Sequence, residues 1–255
     1  KIGVNIIGCC CGTTPDHIKQ VSRKLDGKLI TKNITPVEKD KKPDFTNVKY
    51  RLADKIKQGK RIIAVELDPP ADSNIEKFMD GARKLKQMGV DAVTIADCPV
   101  ARVRVDSSLL AAKLHRELDL DPIPHMTCRD RNINATKALL LGLSVEGVQN
   151  VLVVTGDPVP SAAKDEVKAV FSFNSVVLAD YIRQLSEDGL CSQFSVYGAL
   201  NVNAKNFDAE LRKAVRKQNA GVCAFLTQPV YTERAFENLK KAYDTLDAKI
   251  LGGII

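Results

Sequence analysis

After about residue 60 the chain alternates between two hydrophobic patterns. Short continuous apolar runs rich in β-branched residues occupy 61–67, 91–96, 122–127, 150–156, 193–199, 221–227 and 249–255. They recur every roughly 27 to 31 residues, with one step of about 43, a length suited to repeated strand–helix units. Continuous apolar runs predict strands buried on both faces of a parallel sheet. Between them, apolar residues recur at helical spacing: Ile75, Phe78, Met79, Ala82 and Leu85; Phe207, Leu211, Ala214 and Val215; Phe236, Leu239, Tyr243 and Leu246. Each set predicts an amphipathic helix.

Seven such units in a row predict an α/β fold, a (β/α)8 TIM barrel. The alternative, an open doubly wound sheet, lacks its glycine fingerprint after the first run. The pattern stops at a seventh strand, so the expectation is a barrel truncated before strand eight. Upstream, 39–50 is charged and contains a proline, as a linker does. Before it, "GVNIIG" reads as a strand and "PDHIKQVSRKL" as a helix with Pro15 in its first turn. One such unit cannot bury itself. The expected organisation is therefore the end of another domain over 1–38, a linker over 39–54 and a barrel over 55–255.

Composition narrows the function. The 255 residues are 44% hydrophobic, ordinary for a globular protein. No apolar run approaches the roughly 20 residues a membrane span needs, and the first residues do not read as an export signal. The expectation is a cytoplasmic protein with no membrane partner. Net charge is +7, but basic residues are mixed with acidic ones and there is no Trp. No basic–aromatic platform for nucleic acid is present. A moderately basic chain suits small anionic ligands equally well.

Cys9, Cys10 and Cys11 stand side by side between Gly8 and Gly12. A reducing compartment argues against a disulfide, leaving metal binding or coincidence. Cys98, Cys128, Cys191 and Cys223 lie singly in apolar surroundings and read as small core residues.

In a barrel of this type, chemistry gathers at the C-terminal ends of the strands. Polar residues fall there in six of the seven runs. They include Glu66 and Asp68, Thr94 and Asp97, His125 and Thr127, Thr155-Gly156-Asp157, Tyr197 and Asn201, and Thr227-Gln228. Taken singly, each has a structural reading: Glu66 as a paired carboxylate, His125 as a satisfied core histidine and Thr155–Asp157 as a tight turn. Convergence on one rim favours function. No second histidine joins His125, no Ser–His nucleophile is present and no lysine lies inside a strand. The set suits proton transfer and cofactor orientation.

"VELDPP", "AVTIADCPVARVRVD", "PIPHMTCRDRN", "VLVVTGD" and "FLTQPVY", in this order, resemble the methylenetetrahydrofolate reductase family over about residues 55–255. "IIGCCCGTTPDHI" resembles the last strand of the homocysteine S-methyltransferase barrel, in the order of a bacterial fusion of the two activities. The first resemblance implies an FAD-dependent oxidoreductase. Such an enzyme passes electrons from NAD(P)H to methylenetetrahydrofolate, giving methyltetrahydrofolate in one-carbon and methionine metabolism. By matching motif, Glu66 is implied as general acid, Asp157 as a flavin- and pterin-facing carboxylate and Gln228 as a folate contact. Thr94, His125, Thr155, Gly156, Tyr197, Asn201, Arg216 and Lys217 are implied as FAD contacts. "TGD" stands where the family has Arg-Gly-Asp, and the strand-five motif departs from the family's. The second resemblance implies a zinc site with Cys10 and Cys11 as two of its ligands, its third cysteine lying outside this chain and Cys9 without an assigned role. Two other readings remain: methyltransferase activity as the principal function, or a fragment without catalysis. The expected partner is a small-molecule folate substrate, with a homo-oligomer possible.

Overall fold

The computed structural model describes residues 12–23, 45, 50–161 and 168–254. The chain divides into two compact units, Lys1–Lys41 and Lys42–Ile255. In the first, helix α1 spans Pro15–Arg23. Thr14 donates its backbone N–H to His17 Nδ1 at 3.0 Å, closing the first turn. The strand expected before α1, and Cys9, Cys10 and Cys11, lie outside the described residues.

The second unit opens with helix α2, Arg51–Lys57, so residues 51–54 are helical rather than linker. Seven strands follow: β1 (Ala64–Leu67), β2 (Ala92–Ile95), β3 (Pro122–Thr127), β4 (Asn150–Val154), β5 (Ser195–Leu200), β6 (Val222–Pro229) and β7 (Lys249–Gly253). They form one parallel sheet in sequential order, with β1 and β7 at its edges. Helices α3 (Glu76–Gln87), α4 (Ser107–Leu118), α5 (Ile133–Val145), α6 (Ser175–Glu187), α7 (Phe207–Asn219) and α8 (Glu233–Thr245) each follow one strand. This is an α/β half-barrel of seven parallel strands, consistent with the truncated TIM barrel that the repeat predicts.

Two apolar layers hold it. The larger lies between sheet and helices and includes Ile95, Leu114, Met126, Val153, Ile182 and Phe225. The smaller lines the inside of the curl: Leu52, Ala92, Ile123, Leu152, Tyr197 and Ala224. Successive side chains of a strand face opposite sides, so every second residue belongs to the inner layer. From that layer upward, the same parity carries Glu66, Thr94, His125, Ala199 and Gln228 toward the C-terminal ends. At the other end Leu52 of α2 plugs the curl and is 2% exposed. Arg51 pairs with Asp119 at 2.8 Å and Asp121 at 3.2 Å, and Lys55 with Asp91 at 2.7 Å, fixing α2 there.

Two sequence expectations are corrected. The inner face of α8 is Ala235 and Ala242, not Phe236 and Tyr243, which are 62% and 71% exposed. Cys128 and Cys191 are buried, but Cys98 is only half-buried and Cys223 is exposed.

Candidate active site

The inner parity ends in a mouth of about 400 Å³ lined by Glu66, His125, Gly156, Asp157, Ala199 and Gln228, among others. A second cleft of about 530 Å³ opens between the β1 and β7 edges, lined by Thr94 together with Glu66 and Gln228, which also line the mouth. The two share a wall, so Glu66 stands where both open.

Glu66 pairs in register with Thr94 across β1 and β2, and the Thr94 hydroxyl hydrogen-bonds its carboxylate. Removal from water, reinforced by the charge of Asp68, raises the Glu66 pKa above the ordinary carboxylate value. His125 Nε2 lies 3.7 Å from Glu66 Oε2. Burial pulls the His125 pKa down to about 4, against the opposing pull of Asp97, so the imidazole is neutral at pH 7. Its Nε2 is buried and has no hydrogen-bond partner. A buried polar atom without a partner is costly, and this one borders the mouth.

Asp97 is not free for chemistry. Its Oδ2 accepts from Thr127 N at 3.0 Å, Thr127 Oγ1 at 2.9 Å and Arg131 Nη1 at 2.7 Å. Arg131 also bonds Asp106 at 2.7 Å, and Asp106 caps α4 by accepting from Ser108 N and Leu109 N. This network braces the wall behind His125.

Gly156 sits at φ +94°, and a Cβ there would lie 3.2 Å from Thr127 Cβ and 3.3 Å from Arg129 Cβ. Only glycine fits both constraints. Asp157 accepts through Oδ2 from Val100 N at 3.0 Å. Val100 belongs to a turn in which Cys98, Val100 and Ala101 all have positive φ, from 46° to 55°. For a β-branched residue this is a strained conformation, costing of order 1–3 kcal/mol. Strain persists where surrounding contacts over-determine it, and here it borders the mouth.

The structure therefore brings Glu66, Thr94, His125, Gly156, Asp157 and Gln228 together. The other expected residues are elsewhere. Tyr197 is fully buried one layer lower, opposite Leu152 and Ala224, with its hydroxyl 3.4 Å from Asn150 Oδ1 at the start of β4. Ala199 takes its place at the rim. The Thr155 hydroxyl turns to Ser175 at the start of α6, 3.4 Å away. Asn201 holds the turn after β5: its N–H donates to Glu210 at 3.2 Å and its side chain accepts from Asn203 N at 3.0 Å. Arg216 lines an outer groove between α7 and α8. Lys217 is buried and donates to Ala199 O at 2.7 Å, so it reaches the β5 end through a backbone carbonyl. Burial, with Lys213 nearby, pulls its pKa down to about 8. Sequence reasoning missed the inward-facing Arg129 and Arg131. The alternating charges of "RDR" directly after a buried strand were the available signal.

Among the described residues, no group of three or more His, Cys, Asp or Glu is placed to hold a metal. Among them, too, no helix is long and apolar enough to cross a membrane. The mouth does fit a planar organic cofactor. It offers the unpartnered His125 Nε2 and amide and carboxylate groups around one opening.

The family model for methylenetetrahydrofolate reductase matches residues 51–255, and that for homocysteine S-methyltransferase matches residues 1–25. Comparison with curated protein sequences gives no match. Among solved structures, a 2,3-dimethylmalate lyase of the PEP mutase/isocitrate lyase superfamily is similar at TM-score 0.55 and 10% identity. The match covers 77% of this chain and 66% of that one. A phosphonopyruvate hydrolase complex with oxalate and Mg++ is similar at TM-score 0.53 and 11% identity, covering 80% and 79%. At such identities the likeness is one of fold alone. The chain spans 64% and 66% of the length of the two dimethylmalate lyase chains.

Proposed function

The chain belongs to the methylenetetrahydrofolate reductase family, and from that premise and the geometry of the mouth we propose that it reduces methylenetetrahydrofolate to methyltetrahydrofolate with bound FAD. FAD, when bound, supplies electron transfer between a nicotinamide donor and the folate. The single observation that carries the reading is Glu66. It is a carboxyl with a raised pKa, beside a neutral histidine, at the junction of two clefts.

A carboxyl whose pKa is raised above the ordinary value is placed to donate to the bridging amine of the folate and open its five-membered ring. Thr94 orients that carboxyl. His125, neutral and unpartnered, offers Nε2 to a polar atom of the cofactor or substrate. Gly156, at φ +94° and closely packed on Thr127 and Arg129, holds the turn that presents Asp157 at the mouth. The Asp157 carboxylate accepts from donors on the pterin, and the Gln228 amide holds the substrate from the opposite wall. Ala199, small and inner-facing, leaves room between them.

The test uses the complete protein. It should purify with flavin absorbance, bleach on anaerobic mixing with NADH or NADPH, and recover colour on addition of methylenetetrahydrofolate. A complete protein that takes up no flavin would overturn the reading. A second reading, supported by the match over residues 1–25, assigns zinc-dependent homocysteine S-methyltransferase chemistry to the first unit. It places Cys10 and Cys11 as two thiolate ligands. Zinc analysis of the complete protein before and after Cys10→Ser decides it.

A further inference from the structure

Arg129 contacts two of the connections that frame the mouth, the β2–α4 turn and both ends of the β4–α6 segment. Its side chain is 2% exposed. Nε and Nη2 bind the Asp130 carboxylate, the latter at 2.6 Å. Nη1 donates to the backbone carbonyl of Asp157 at 3.2 Å, and Nη2 to that of Cys98 at 3.4 Å. Its own carbonyl accepts from Val170 N at 2.7 Å and Phe171 N at 3.4 Å. One residue thus joins the turn after β2, the segment after β4 and the approach to α6. Two of these places are strained: the Cys98–Ala101 turn and Phe171, at φ 43°. The Asp157 carboxylate closes the circuit by accepting from Val100 N.

We propose that Arg129 is a positioning residue for the mouth, fixing Asp157 and the Cys98–Ala101 turn against each other so that the Asp157 carboxylate keeps one place at the opening. A planar fork suits this task, because it donates in several fixed directions at once. A lysine keeps the charge but cannot serve Asp130, Asp157 and Cys98 together. The inference rests on the reductase reading only where its test uses bound flavin.

The experiment compares the complete wild-type protein with Arg129→Lys, Asp157→Asn and the double variant. Without cofactor, amide exchange in Arg129→Lys should become about tenfold faster over residues 97–103 and 168–172, the loss expected for charge-assisted hydrogen bonds. Exchange in α4 and the strands should stay at the wild-type rate. With flavin bound, Asp157→Asn should raise the midpoint potential, because a carboxylate near the ring disfavours the reduced anion. Arg129→Lys, which leaves the net charge unchanged, should raise it in the same direction. The double variant should match Asp157→Asn alone, since Arg129 acts through Asp157. Exchange at the wild-type rate in both loops, or potential shifts that add, would overturn the proposal. A wild-type protein that binds no flavin would overturn the reductase reading instead, and the exchange result would still decide the role of Arg129.

Discussion

The two ends of the curl are built from the same strands and differ in nearly every other respect. At the N-terminal end Leu52 fills the opening, Tyr197 is fully buried beneath it, and Arg51 and Lys55 each find a carboxylate. At the C-terminal end His125 Nε2 has no partner, three residues of one turn hold positive φ, and Glu66 stands half-exposed in a shared cleft. The closed end follows the rules of a packed, satisfied core. The open end breaks them at several adjacent places, which is expected where a ligand supplies the missing partners. Stability and chemistry are therefore separated along the strand direction.

That separation can be broken by substitution. Leu52→Ala should have the largest effect on stability, about 2–5 kcal/mol, through the cavity left at the closed end. Flavin stoichiometry of the folded fraction should not change, as chemical denaturation with parallel absorbance would show. His125 comes next. Its folded pKa of about 4 lies below the ordinary 6.5, so the unfolded chain takes up the extra proton between these values. Its contribution is complete above about pH 6.5 and lost as pH falls toward 4, in total about 3 kcal/mol. His125→Gln should flatten the pH dependence of unfolding in that window.

Gly156→Ala should cost about 1–3 kcal/mol and, with the Cβ 3.2 Å from Thr127 Cβ, also weaken flavin binding, measured by fluorescence titration. Tyr197→Phe should have the smallest effect. It removes only the 3.4 Å hydrogen bond to Asn150, about 1 kcal/mol or less. A drop in flavin affinity in that variant would show that the closed end reaches the mouth after all.

Much of this was legible from the sequence because a parallel barrel repeats one pattern. Each apolar run is a strand, with boundaries displaced by at most three residues, and strand parity carries the inner layer to its polar end. The failures have physical causes. In α8 the bulkiest apolar residues, Phe236 and Tyr243, face outward, while Ala235 and Ala242 allow the helix to sit close to the sheet. Side-chain size misleads where close packing selects small residues. Tyr197 shares the inner parity of the rim residues, but β5 runs on to Leu200 and leaves it a layer below. Arg129 and Arg131 turn inward because the backbone carbonyls of Cys98 and Asp157 and the buried Asp97 carboxylate await them. Only the arrangement of neighbouring loops, remote in sequence, determines that.

The central claim is that Glu66 donates the proton that opens the folate, and rapid-mixing spectroscopy of Glu66→Gln in the complete protein tests it most directly. The amide keeps the shape of the side chain and removes its acid. Reduction of bound flavin by the nicotinamide should proceed at close to the wild-type rate. Its reoxidation by methylenetetrahydrofolate should slow by about 10²–10⁴-fold, the usual loss when a general acid is removed. Reoxidation retained above about a tenth of the wild-type rate would contradict the account, because general acid catalysis of any consequence contributes more than that.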